Sequence, residues 1–202
     1  IIQSFSGALG VLDGGTTVVD SPVLDSGLID ENTSSEVLEM QNFQKLEETI
    51  QDYLDENQLS ESVTVLEEEA GLLLRFQDNI LFDSGSADLK PESLEIMSYI
   101  AQLLNAEDFE DKFISIEGHT DNVPMNSPRY PSNWELSVGR SSNVVRFLVE
   151  NNNMDPKRIS ASGYSEYHPV APNDNTENRA KNRRVDILIL KTIHYKDSLK
   201  NQ

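Results

Sequence analysis

The chain has 202 residues, 37% of them hydrophobic and 25% charged, enough for one well-formed core plus accessory segments. Its net charge of −19 argues against nucleic acid or anionic lipid as a partner, because phosphates demand a basic footprint; an anionic ligand has to be captured by local arginines. Cysteine is absent, which removes disulfides and thiolate metal or redox sites, and no run reaches the roughly 18 apolar residues that span a bilayer.

The acidity is uneven: residues 1–70 carry 16 acids and one base, whereas residues 71–202 carry 19 acids and 15 bases. The chain opens on Ile1-Ile2 without a Met, which suggests a fragment of a longer protein. Over residues 1–12, Ile1, Ile2, Phe5, Leu9 and Leu12 fall near one face of a short amphipathic segment weakened by Gly7 and Gly10. Residues 13–35 mix Gly14, Gly15, Pro22 and Gly27 with Asp, Ser and Thr and read as a flexible acidic linker. A helical period returns over 36–58 through Met40, Phe43, Leu46, Ile50, Tyr53 and Leu54, in a segment leading into the domain over 36–61. This helix either packs on its own chain or pairs with its copy in a second chain, and the stripe is too short to decide.

The domain proper is expected over 62–191, with a polar, mobile tail over 192–202. Ser62–Leu66 and Leu72–Phe76 read as a hairpin around a solvated turn, Glu67–Gly71; its three glutamates have no preset geometry for a metal. Asn79–Phe82 reads as a short strand, Asp83–Ser86 as a turn, and Pro91 as the first position of a helix with the stripe Leu94, Met97, Ile100, Leu103 and Leu104. Strand 112–118 then alternates, with Ile114, Ile116 and Gly118 on one face and Phe113, Ser115 and Glu117 on the other. Helix 133–151, strand 158–163, a short helix near 176–181 and strand 183–190 follow. The alternation implies an α/β fold with helices packed on one face of a mixed sheet.

The segment Glu117–Arg140 carries the densest chemistry. His119, Thr120 and Asp121 sit at the carboxyl end of a strand, and Ser132-Asn133-Trp134-Glu135 is a capping-box pattern that starts the next helix. Its apolar stripe reads Leu136, Val144, Val145 and Leu148. Arg140, four residues from both Leu136 and Val144, projects from that stripe and so requires an acidic partner, for which Asp121 is the nearest candidate. Two readings stand: a fold-holding ion pair, or a zwitterion receptor in which Arg140 takes a ligand carboxylate and Asp121 a ligand ammonium. Trp134 is expected to staple the helix start to the sheet.

Five motifs in order, Gly118–Asp121, Asn133–Arg140, Arg158–Tyr164, Pro169–Asn173 and Asn182–Ile187, resemble the OmpA-like peptidoglycan-binding family. The resemblance implies a two-layer α/β sandwich and a non-catalytic domain with no cofactor and no metal. It implies that Asp121 and Arg140 contact the zwitterionic end of a peptidoglycan stem-peptide diamino acid. Thr120, Asn133, Arg183 and Arg184 match other parts of the family's binding region, although Arg183 and Arg184 alternate on a strand, so that one of them only salt-bridges the surface. The loop Asn122–Pro131 and the segment 132–137 resemble the flagellar-stator branch of the family. That branch implies a homodimer, a membrane-embedded stator partner, a plug role for residues 1–12 and an extracytoplasmic position tethered by a membrane helix upstream of Ile1. The alternative is a generic cell-wall tether without a motor, which the upstream sequence would discriminate.

An enzyme is the rival from another class, with His119 and Asp121 joined by Ser137 in a hydrolase triad or by His168 at a metal. No nucleophile elbow is present, and His119 and Asp121 do not share a helical face. His119 is instead expected to make structural hydrogen bonds, and His168 to lie in a loop.

Overall fold

The computed structural model describes residues 31–192 and Tyr195. The expected amphipathic segment 1–12 and most of the expected linker lie outside the described residues. Five strands form one sheet in the order β1-β2-β5-β3-β4: β1 (Val63–Glu68), β2 (Gly71–Gln77), β3 (Ile114–His119), β4 (Ile159–Gly163) and β5 (Arg184–Leu190). Central β5 runs antiparallel to both β2 and β3, and β3 runs parallel to β4. A parallel pair needs a long crossover, and α4 (Asn133–Asn152) supplies it.

Register decides the two faces. Leu72, Leu74 and Phe76 pair with Ile189, Ile187 and Val185, which in turn face Ile114, Ile116 and Gly118, so one side of the sheet is an unbroken apolar surface. Three helices cover it: α1 (Glu31–Glu56), α3 (Ser93–Leu104) and α4, whose buried residues join the same core cluster. The expected two-layer sandwich with a mixed sheet is therefore the observed fold. Among the described residues no helix is long and apolar enough to cross a membrane.

Helix α1 packs on its own chain through Phe43, Leu46, Ile50 and Leu54, all buried. It begins at Glu31, five residues inside the stretch expected as linker, and Met40 leaves the expected stripe at 63% exposure. Glu39 ties this helix to the far end of the chain: it accepts from the backbone N–H (3.0 Å) and the hydroxyl (2.6 Å) of Thr192, and it meets Lys112 at 3.0 Å. Thr192 is thus held in place, and Tyr195 stacks on Phe113 with centroids 4.7 Å apart; the rest of the expected tail lies outside the described residues.

Three other expectations are corrected. The hairpin turn shrinks to Glu69-Ala70, because Glu67 and Glu68 extend β1 and pair with Leu72 and Gly71. Asn79–Phe82 is not a strand: Asp78–Leu81 is a single helical turn, α2, and only Phe82 makes an isolated bridge, to Leu89. Pro91 lies in a turn before α3, where Ser93 N–H reaches Lys90 O and Leu94 N–H reaches Pro91 O; Leu94 and Leu103 are only partly buried, while Ile96 takes a core position.

The approach of α4 to the sheet depends on two glycines. A Cβ on Gly118 would lie 2.1 Å from Ser137 O, and one on Gly163 would lie 2.5 Å from both the backbone N and Cγ2 of Val138. These contacts are largely with helix backbone, which a side-chain rotation cannot relieve. Gly118→Ala is therefore expected to destabilise the domain by about 3 kcal/mol or more, at the upper end of overpacking costs, as read by urea unfolding.

Candidate ligand-binding site

The last rung of the sheet aligns Gln77, Arg184 and His119. The residues just beyond that rung, Asp78, Thr120, Asp121 and Arg183, consequently converge at one end of the sheet. Here the start of α4 and the loop 82–90 enclose a cavity of about 410 Å³. Three carboxylates (Asp78, Asp83, Asp121) and three cations (Lys90, Arg140, Arg183) line it, so its charge is balanced. Thr120 and Asn133 line it as well, so five of the six expected site residues meet there.

Arg140 is 1% exposed, as its place in the apolar stripe requires, but its partner is not Asp121. Its Nη2 meets Asp78 Oδ2 at 3.2 Å, its Nε–H donates to Ser86 O at 2.9 Å, and its guanidinium lies 5.1 Å from the centre of the Phe82 ring. Its Nη1 is buried with no hydrogen-bond partner. Asp121 pairs instead with Arg183, at 2.7 Å from Nη1, and accepts the Val123 N–H on its other oxygen at 3.0 Å. Arg183 also meets Asp78 at 3.4 Å. The result is an alternating chain, Arg140–Asp78–Arg183–Asp121.

Electrostatics follow from that chain. Burial pulls the Arg140 guanidinium below its ordinary range and pushes the Asp78 carboxyl up, against the opposing charges of Arg140 and Arg183. At Arg183 burial also pulls down, but the bond to Asp121 and the charges of Asp78 and Asp121 outweigh it and hold the group above its usual value.

Asn133 fixes the loop over the cavity. Its side-chain NH2 donates to Asp121 O (3.2 Å), Val123 O (3.1 Å) and Glu166 Oε2 (2.8 Å), and its Oδ1 accepts from Met125 N–H at 3.1 Å. The preceding Ser132 is the N-cap, accepting the Trp134 N–H at 3.1 Å, and its hydroxyl donates to Glu135 at 2.5 Å, so the helix starts where its capping pattern predicts. Thr120 is anchored through its N–H to Ser165 O and its hydroxyl to Asp121 O, both at 2.9 Å. Trp134 does not staple the helix to the sheet: it is 48% exposed and stacks on Tyr167.

Arg184 is excluded from the cavity. Strand alternation turns it to the opposite face of the sheet, where its Nε–H donates to Asp186 at 2.9 Å and its Nη2 to His168 O at 3.1 Å. Arg75 makes a bidentate pair with the same carboxylate, 2.9 Å on each oxygen. Burial would raise the Asp186 carboxyl, but Arg75 and Arg184 hold it below the usual range.

His119 also faces this side and departs from expectation, since both ring nitrogens are buried without a hydrogen bond. Asp186 and Glu117 stand 3.8 and 3.9 Å away, and the ring stacks on Tyr164 with centroids 5.2 Å apart. His168 lies in a loop, as expected. The hydrolase triad is not assembled, because the Ser137 hydroxyl donates to Trp134 O at 2.9 Å and accepts the Ser165 N–H at 3.1 Å.

Asp78, shared between Arg140 and Arg183, is the cavity residue that the sequence does not announce. Its only signal in the sequence is the need of Arg140 for a carboxylate.

The class that the fold defines is a two-layer α/β sandwich with an acidic and basic cluster at the mouth of the β3–α4 connection. Residues 81–183 match the OmpA family model, and the chain belongs to that family. It is 37% identical over 204 residues to motility protein B of Bacillus subtilis (strain 168), covering 93% of this chain and 75% of that protein. In structure it resembles a MotB-like protein from Desulfovibrio vulgaris, with a TM-score of 0.67 and 29% identity over 75% of this chain and 90% of the other. It also resembles the periplasmic domain of Helicobacter pylori MotB, with a TM-score of 0.60 and 26% identity over 69% of this chain and 88% of the other.

Removing one partner of the buried pair leaves a desolvated charge, so Asp78→Ala is expected to cost about 3–5 kcal/mol, against a much smaller cost for Asp83→Ala, whose side chain is 81% exposed. Paired urea denaturation curves of the two variants check this difference.

His119 gives the fold a pH dependence of known sign. Burial, then the Arg184 charge, lower its pKa from 6.5 to about 3, so below pH 6.5 the unfolded chain binds a proton that the native state refuses. Stability should therefore fall as pH drops from 6.5 towards 3, by up to about 1.4 kcal/mol per pH unit from this group. In His119→Phe, which keeps a ring against Tyr164, the same stability profile should be flatter by about that slope.

Proposed function

We propose that the chain is the extracytoplasmic, non-catalytic cell-wall anchor of a flagellar motor stator of the MotB type, and that its cavity binds a peptidoglycan stem peptide. Membership of the OmpA family and the likeness to MotB periplasmic domains support the anchor role. The observation that carries the ligand assignment is the charge-balanced cavity crossed by the Arg140–Asp78–Arg183–Asp121 chain. A zwitterionic diamino-acid end presents an ammonium and a carboxylate a few bonds apart, and both signs are available within one cavity. Asp121 is the acceptor for the ammonium. The carboxylate is served by Arg183, the more exposed arginine, with Arg140 beneath as a fixed positive charge. Thr120 and Asn133 hold the loop that carries Asp121. Arg184 has no part in this reading, since its guanidinium lies on the other face of the sheet.

In a stator of this type two copies of the chain act together beside a MotA-type membrane subunit, tethered to the cytoplasmic membrane by a helix outside this sequence. Torque generated at the membrane is then reacted against the peptidoglycan mesh, and no chemical step is required of the domain.

The test is co-sedimentation of the full 202-residue chain with insoluble peptidoglycan, because trimming away α1 would strip Phe43, Leu46, Ile50 and Leu54 from the core. Asp121→Asn preserves side-chain shape and the acceptor for Val123 N–H while removing the charge, so the fold should persist. Binding is expected to weaken by about tenfold or more, as for loss of a charged hydrogen bond. Equal sedimentation of a folded Asp121→Asn variant and the parent chain would refute the ligand assignment.

A further inference from the structure

Beside the cavity lies a surface that the stem-peptide reading does not use. Trp134 and Tyr167 are 48% and 64% exposed, yet their rings are stacked, with centroids 5.4 Å apart and planes 27° from parallel. Val138, one helical turn beyond Trp134 on the same helix, is 44% exposed and extends the apolar strip. Large aromatic side chains left half in water and held side by side mark an interaction surface.

The strip is joined to the cavity through the backbone. Asn133 lines the cavity and donates to Glu166 at 2.8 Å, and Trp134 and Tyr167 are the residues that directly follow these two. One hydrogen bond therefore fixes the cavity rim and both rings together. We propose that the Trp134–Tyr167 pair is a stacking platform for the amino-sugar chain of the same polymer whose peptide fills the cavity, an inference that rests on the stem-peptide reading above.

The chemistry favours a sugar over other occupants. An aromatic face carries negative quadrupole density, and the carbon-bound hydrogens on one side of a pyranose ring are its complement. Sugar rings also keep their hydroxyl and acetamido groups in water at the edge of such a platform, which suits rings that are only half covered. The strip has acidic neighbours in Glu135 and Glu166, which disfavours an anionic lipid surface and leaves an uncharged sugar face unopposed. Continuity is the further argument: a stem peptide that ends in the cavity crosses the cavity rim, which brings the glycan it hangs from close to the paired rings on that rim.

Trp134 is the single tryptophan of the chain, so its emission reports the platform directly. The experiment titrates the full 202-residue chain with an uncharged oligomer of N-acetylglucosamine as the glycan, and separately with soluble stem peptide. Glycan should change Trp134 emission saturably, and Tyr167→Ala should weaken that binding by about three- to tenfold, the range of one aromatic contact. Asp121→Asn should leave glycan binding within about twofold while losing the stem peptide, since the two subsites share no charged group. No saturable change with glycan, or equal glycan binding by Tyr167→Ala, overturns the platform. If glycan binds as expected but soluble stem peptide fails to bind the parent chain, the platform stands as a sugar site and the cavity assignment is what falls.

Discussion

A guanidinium keeps its charge in a protein, and Arg140 carries that charge into the interior beneath α4, where it is 1% exposed. Leaving such a group unpaired would cost more than most core contacts contribute, so the fold is arranged around its needs. Asp78 supplies the carboxylate, Ser86 a carbonyl and Phe82 an aromatic face. Two of these lie in the loop between α2 and α3, so satisfying Arg140 draws that loop against α4 and forms one wall of the cavity. Asp78 is shared with Arg183, whose other bond reaches Asp121 at the end of β3, and this forms the opposite wall. Cavity shape and cavity charge thus have the same origin.

A second buried cluster works on the other face of the sheet. Asp186 receives both Arg75 and Arg184, and Arg184 also holds the His168 carbonyl of the loop that follows β4. Because consecutive residues of an extended chain point to opposite sides, fixing Arg184 there directs Arg183 to the cavity side. His119 is the unsatisfied member of this cluster, kept neutral by burial between the Asp186 carboxylate and the Tyr164 ring. The sheet end therefore carries ion pairs on one face and the charge-lined cavity on the other.

Most of this architecture was legible wherever a local pattern had one physical meaning. The alternation of Phe113–Gly118 identified β3 and its buried face, the Ser132–Glu135 pattern located the start of α4, and the period of Phe43, Leu46, Ile50 and Leu54 identified α1. The position of Arg140 in an apolar stripe also announced a buried charge. Failures came where tertiary neighbours decide. Asp78 and Arg140 are far apart in sequence, and no local pattern shows that the end of β2 lies nearer this turn of α4 than the end of β3 does. Asn79–Phe82 is apolar enough for a strand, but its backbone turns because Asp78 N–H is held by Arg183 O and Phe82 N–H returns to Asp78 O. Arg183 and Arg184 could be separated only by their alternation, and that alternation does not say which one faces the cavity. Trp134 was expected to staple the helix start to the sheet, whereas its partner is Tyr167, in the loop after β4.

The acidic balance of the chain bears on how such a site can hold its ligand. At physiological ionic strength the Debye length is about 8 Å, so the −15 of the first 70 residues is largely screened at any site farther away, while charges lining one cavity are not. Recognition then depends on the local pattern of signs, and a balanced cavity suits a zwitterion without attracting anions or cations in general. An anchor that bears load must above all release slowly, and buried short-range contacts act mainly on dissociation. Adding a sugar platform at the rim would make peptide and glycan contacts intramolecular to one another, so that either can reform before the polymer leaves. Modest contacts at two adjoining subsites can therefore sustain a tether that neither would sustain alone.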